Sequence, residues 1–331
     1  MADSITGVTG DRAAASGRQR GSQPGPPLLR IPAVPPGPVL IRCTAPDALS
    51  NLVAVLELAA DGRLRCAAGT RRPLAATVRL AEDALVAGDY YGGPEDDPAG
   101  GGEPIAAFAW PMLLLAGGLA RLDGTTLALT PRGQAVLARP SYGCVGALWD
   151  RWLGSVSQDE FSRVEAISVQ RKGGTLTPAA SRRAAVAAGL AALEPGAWVD
   201  VDAFFAVLRT QAAPLAVTVS PLARWALYLE DPRQGSLGPA GWRAWAAVEG
   251  RYALCVLFEY AATLGVVDVA YAGPRGARGD FRELWGAGHR DSLSRYDGLA
   301  AIRVSELGAA ILHDPAGLDA LGLPQPRRTS R

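Results

Sequence analysis

The sequence predicts a mainly α fold with small β-hairpins, built as two related units joined by a helical connection. Three observations lead to this. "LALTPRGQAVL" at residues 127 to 137 returns without a gap as "IRVSELGAAIL" at 302 to 312. The shared frame is apolar, any, Leu or Val, Thr or Ser, two free positions, Gly, any, Ala, Val or Ile, Leu, so a short strand twice runs into a glycine-bearing helix. Apolar residues ahead of each copy recur mostly at helical spacing, interrupted by short alternating stretches. The 331 residues, 49% hydrophobic and 20% charged, have the length and balance of a globular chain of two ordinary domains.

The elements follow in order. Residues 1–38 are rich in Gly, Pro, Ser and Arg and read as an extended tail. In "APDALSNLVAVLELAADG" the positions Leu49, Leu52, Val53, Leu56 and Leu58 mark a first helix that stops at the turn pair Asp61-Gly62. "RLRCAAG" alternates as a strand. "PLAATVRLAEDALVAG" opens on Pro73 and closes on Gly88 as a second helix. The acidic "YYGGPEDDPAGGGEP" is a loop, "IAAFAWPMLLLAGG" a third helix, and "LARLDGTTLALT" a hairpin turning at Asp123-Gly124. Thr130 then caps a helix that has Pro131 at its first position. These elements make a first unit over 39–140, and 141–196 reads as a helical connector.

The second unit spans 197–318, with residues 319–331 as a polar tail. "GAWVDVDAFFAVLRTQ" gives a strand and then a helix capped by Asp202. "RYALCVLFEYAATLGVVDVAY" matches "WPMLLLAGGLARL", a helix broken at glycine (Gly265, Gly118) that leaves as a strand. The hairpin that follows carries a long insertion. "GGTLTPAASRRAAV" also echoes "AGTRRPLAATVRL", each giving Gly-Thr, two residues, then Pro at a helix start.

Helix, strand, helix, helix, hairpin is the order of a winged helix. Residues 45–138 resemble bacterial winged-helix proteins, and "LALTPRGQAVL" looks like their last wing strand and closing helix. The tandem layout resembles the winged-helix regions that accompany helicases and other DNA-processing proteins. The resemblance implies a nucleic-acid or protein partner; it is one of fold and sets no mechanism.

Most chemistry has no residues to carry it. The chain contains no phosphate-binding Gly-Lys-Ser/Thr loop, no nucleophile elbow and no Cys-x-x-Cys pair. His289 and His313 are the only histidines, too few for a triad or a histidine-rich metal cage. Glu95, Asp96, Asp97 and Glu103 lack the ordered spacing of a calcium loop. Cys43, Cys66, Cys144 and Cys255 are scattered and read as reduced thiols, Cys144 being the one nucleophile worth an alkylation test. A non-enzymatic protein without cofactor or metal is expected. No signal peptide or stretch of roughly 18 to 20 apolar residues is visible, so a cytoplasmic protein without a membrane partner is expected.

Thirty-three basic against 32 acidic residues leave a net charge of +1, so contact with an anion must be local. "GTRRP" places Arg71 and Arg72 just ahead of the second helix, whose N-terminal N–H groups favour an anion, with Arg79 further along it. The long wing adds Arg275 and Arg278 within "PRGAR". These five are the candidate phosphate contacts. The third helices carry no charge in the first unit and only Arg251 and Glu259 in the second, so base reading by them is not expected. The leading expectation is phosphate-backbone contact with nucleic acid, as an accessory factor of a DNA-processing or regulatory complex. The alternative is an adaptor whose apolar third helices dock a partner subunit.

Overall fold

A computed structural model of the chain describes residues 38–91, 104–170, 174–229, 236–237, 242–284 and 287–326. The expected N-terminal tail, apart from Pro38, and the acidic cluster Glu95, Asp96, Asp97 and Glu103 lie outside the described residues.

In the first unit, α1 (Ala45–Ala60) buries Leu49, Leu52 and Leu56 completely. Pro46 lies in its first turn, where a missing N–H breaks no intrahelical bond. Gly62, at φ +66°, supplies the left-handed turn that ends the helix. Leu64 and Cys66 then point inward while Arg63 and Arg65 face solvent. α2 (Ala75–Ala84) and α3 (Ala106–Ala116) follow, then β2 (Ala120–Asp123) and β3 (Thr126–Leu129), paired antiparallel. Arg65 bridges Thr126 on the far side of β3, which makes a small three-stranded sheet. α4 (Pro131–Ala138) starts on Thr130, whose Oγ1 accepts from the N–H of Gly133 at 3.1 Å.

The second unit rebuilds this order with α6 (Ala179–Ala191), β5 (Trp198–Asp200), α7 (Val201–Thr210), a long helix, β7 (Val267–Tyr271), β8 (Leu299–Val304) and α10 (Glu306–His313). The long helix consists of α8 (Trp242–Trp245) and α9 (Arg251–Cys255) with π-helical turns at Ala246–Gly250 and Val256–Ala261. By element order α6 takes the place of α1 and α7 that of α2, so the local likeness of "GGTLTPAA" to "AGTRRPLA" is not the structural correspondence. The helix α7 begins at Val201, so its cap is Asp200, which accepts from Ala203 N–H at 2.9 Å; Asp202, expected in that role, lies in the first turn.

The likeness reaches individual atoms. Thr130 Oγ1 donates to the carbonyl of Gly118 at 2.8 Å, and Ser305 Oγ donates to that of Gly265 at 2.5 Å. Thr130 N–H donates to Leu119 O at 2.9 Å and Ser305 N–H to Val266 O at 3.1 Å. Gly118 and Gly265 both take positive φ, +66° and +75°. A Cβ on Gly133 would lie 2.0 Å from Leu119 O, and one on Gly308 would lie 1.9 Å from Val266 O. The recurring Thr/Ser-x-x-Gly is therefore a cap plus a contact that only glycine permits.

What joins the units is not visible in local sequence. β1 (Leu40–Arg42), which precedes the first unit, pairs antiparallel with β7 and completes the sheet β1-β7-β8-β5 of the second. Thr44 fixes it there, its N–H donating to Asp268 Oδ1 at 2.9 Å and its hydroxyl to Val267 O at 2.7 Å. α5 (Tyr142–Gly154), in the expected connector, buries Trp149 and Trp152, and Trp152 stacks on Tyr260 of the long helix at 4.8 Å. β4 (Ile167–Val169) pairs with β6 (Leu227–Leu229) in a separate ribbon. Residues 315–324 lie against α5, with Tyr142 hydroxyl donating to Pro324 O at 2.8 Å and Gly143 N–H to Asp319 at 2.8 Å, so 319–324, expected to begin a disordered tail, are docked instead. The described residues thus form mixed α/β structure with small antiparallel sheets around one shared hydrophobic core.

Candidate nucleic-acid interface

The turn before α2 is tight. Arg71 N–H donates to Ala67 O and Ala67 N–H to Arg72 O, both at 2.8 Å, and Cys66 bridges Pro73. Closing it holds Arg71 at φ +58°, the one positive φ of a non-glycine residue among the described residues. That conformation is costly for a side chain with a Cβ. The Arg72 guanidinium lies 5.3 Å over the Phe108 ring. Arg79 is exposed on α2 itself. The α2 cap residue, Leu74, offers no side-chain oxygen to the helix N-terminus.

The wing arginines sit differently. Arg275 is exposed, whereas Arg278 pairs with Asp202 and, at 2.8 Å, with Asp280, and lies 5.1 Å over Phe205. Arg278 is spent on holding the inserted wing to α7.

A second group of cations was not singled out by sequence. Arg63, Arg65 and Arg121 are exposed on the outer face of the first unit's sheet, where Arg65 stands in the row Arg65–Thr126–Asp123 and Arg121 is paired with Ala128. Beside Thr126 and Ala128 a shallow groove of about 490 Å³ opens, lined also by Ala59, Gly62, Gln134 and Leu137. The signal was available: in "RLRC" the arginines alternate with two residues that turn inward, which is the pattern of a half-buried strand. Which strand lay beside them was not.

The other half of the molecule uses its arginines for a different purpose. Arg183 is fully buried and grips Glu160 through Nε at 3.0 Å to each carboxylate oxygen, while its Nη atoms donate to the carbonyls of Trp152, Ser155 and Gln158. Arg182 holds Asp159, Arg163 holds Glu259, Arg224 holds Glu249, and Arg251 holds Asp297 and Asp280. Tyr296 hydroxyl donates to Glu259 and Tyr252 hydroxyl to Glu160. Burial pushes the Glu249 carboxyl up to about 7 against the opposing pull of Arg224, and it raises Glu160 against that of Arg183. Such shifts often mark catalysis. Here Glu160, Glu249 and Glu259 are at most 1% exposed, and each is bound by an arginine, so they lock the interior together.

Comparison with protein-family models, with curated proteins and with solved structures finds no match for this chain.

The geometry therefore speaks alone, and three features restrict it. α3 is buried on every side from Ala106 to Leu114, and the long helix is buried from Ala246 to Ala262, so neither third helix has a face for a DNA groove or for a partner subunit. No group of three metal-ligating side chains occurs among the described residues. No helix among the described residues is long and apolar enough to cross a membrane. Cys144 is half-buried, within 3.9 Å of Ser141 Oγ and Arg139 O, and neither neighbour is a base that would activate it.

What remains is a segregation of charge. The ion pairs of Arg163, Arg182, Arg183, Arg224, Arg251, Arg278, Arg295 and Arg303 join positions from 159 to 303. In the first unit Arg63, Arg65, Arg71, Arg79, Arg121, Arg132 and Arg139 are exposed and take part in none of those pairs.

Proposed function

We propose that the protein is a non-enzymatic tandem winged-helix protein that associates with nucleic acid through the phosphate backbone, as an accessory factor of a DNA-processing or regulatory complex. The observation that carries this reading is the exposed set just described: seven arginines stand on the surface of the first unit, whereas Arg163, Arg182, Arg183, Arg224 and Arg251 of the other half are buried in ion pairs. Exposed guanidinium groups on a sheet face and at the turn before a helix N-terminus suit phosphate, which they bind in a bidentate fork, and they carry no sequence code. The order α1, strand, α2, α3, hairpin and closing helix supports the winged-helix part. Arg71, Arg72 and Arg79 remain in the proposed contact set, Arg275 at its margin, and Arg278 acts as a structural group.

A salt series tests it. Fluorescence anisotropy of duplex and single-stranded oligonucleotides should show log affinity falling with log salt at a slope of about −3.6 for four phosphate contacts on duplex. Arg71→Ala/Arg72→Ala should reduce that slope by about 2. Flat anisotropy at low salt would end the proposal.

A protein partner is the second reading, and one observation favours it. Val219, Leu222 and Trp225 are 52%, 79% and 54% exposed on a short segment. If this segment recruits a partner, Leu222→Ser/Trp225→Ser should abolish capture of that partner while leaving oligonucleotide affinity unchanged.

A further inference from the structure

We infer that the nucleic-acid strand lies across the outer sheet face of the first unit, its phosphates on Arg63, Arg65 and Arg121 and its sugar edge in the groove over Thr126 and Ala128, and that the second unit has no such site. The inference rests on the nucleic-acid reading above and goes further, naming a site that is separate from the turn before α2.

The two units supply the comparison. Strand register equates Leu127 with Ile302 and Leu122 with Val269, because each pair occupies the same rung of its hairpin. Leu127 N–H donates to Leu64 O, and Ile302 pairs with Val199, so Leu64 and Val199 are equivalent too. The neighbouring positions then fall into line: Arg63 with Trp198, Arg65 with Asp200, Arg121 with Asp268 and Ala128 with Arg303. Each of the three cations is replaced by an aromatic ring or a carboxylate. The one cation gained, Arg303, is consumed on the spot. It donates to Asp268 Oδ2 from Nε at 3.0 Å and from Nη2 at 2.6 Å, and its guanidinium lies 4.8 Å over the Trp198 ring.

The second unit thus fills its own sheet face with a stacked guanidinium and ring. In the first unit the corresponding positions are Ala128, which is small, and Arg63, so the floor is open and the rim is cationic. Groove and charge meet at β3, where Thr126 and Ala128 line the groove and share their rungs with Arg65 and Arg121, the rest of the lining coming from the end of α1 and from α4. A nucleic-acid backbone answers to both features, since it offers regularly spaced anions and a thin uncharged sugar between them. Asp123 stands at the end of the Arg65 row and sets the limit of the cationic strip.

The experiment uses the full chain and anisotropy across a salt series, with thermal melts to verify folding. Arg63→Ala/Arg65→Ala/Arg121→Ala alters exposed side chains only, and it should weaken binding by more than about tenfold and lower the salt slope by about 3, since these three contacts, added to the four of the proposed function, steepen the wild-type slope from about −3.6 to about −6. Ala128→Leu fills the groove without changing charge and should weaken binding severalfold at unchanged slope. Arg151→Ala and Arg282→Ala, exposed arginines outside the face, should leave affinity and slope as they were. If the wild-type chain binds no oligonucleotide, the nucleic-acid reading itself is overturned. If it binds and the triple variant binds equally well, only the assignment to this face is overturned. Displacement of the oligonucleotide by polyglutamate at matched charge concentration and salt would make the face an acidic-peptide surface and overturn it as well.

Discussion

At the scale of single residues, the account depends on glycines that admit a carbonyl and on arginines that are either buried or bare. Gly133→Ala and Gly308→Ala each drive a methyl group into a backbone oxygen about one bond length and a half away. Each should cost on the order of 1–3 kcal/mol by overpacking and lower Tm. Gly154→Ala, with nothing within 4 Å of the new methyl, is the control and should leave Tm unchanged or raised. A melt in which all three variants behave alike would refute the shared contact. The Thr/Ser-x-x-Gly frame was legible because its whole geometry is local, from cap to glycine in three residues. Arg278 was not, since its partner Asp202 is 76 positions away and a charge in "PRGAR" gives no sign of it. Asp200 and Asp202 both precede apolar residues in "WVDVDAFF", and only the point at which the backbone turns helical decided between them.

At the scale of elements, the connector is the part that locks the molecule. The short 3₁₀ turn at Glu160–Arg163 and its cap present Asp159, Glu160 and Arg163 to α6 and the long helix; all three enter ion pairs, those of Glu160 and Arg163 fully buried. Removing one partner leaves a desolvated charge behind. Arg183→Met should therefore cost about 3–5 kcal/mol, and Arg183→Met/Glu160→Gln should recover part of the loss, because the amide oxygen can still accept from Trp152 Nε1. Denaturant midpoints measure this, and a single variant that loses less than 1 kcal/mol would show that the pair is not what closes the connector. Helix-forming segments were readable from apolar spacing, as in α1, and the hairpin β2–β3 from Asp123-Gly124. The correspondence of α6 to α1 was hidden by the stronger local likeness of two Gly-Thr-x-x-Pro stretches. β1 was hidden for a different reason: three residues after a proline-rich run have no periodicity, and their pairing strand lies some 230 positions away.

At the scale of the whole molecule, the two proposed units differ in the use of their charge. The second unit accepts β1 on its sheet, fills its outer face with Trp198 and Arg303, and holds Arg224, Arg251 and Arg303 against carboxylates. The first keeps an open face and a set of exposed guanidinium groups. Near-neutral net charge conceals this division, which is why composition alone pointed to no partner. Amide hydrogen exchange on the full chain, with and without a saturating duplex oligonucleotide, tests the division most directly. The account predicts slowed exchange in residues 62–66 and 120–138, with residues 198–200 and 299–304 unchanged. Equal slowing in both sheets, or in the second alone, would contradict it.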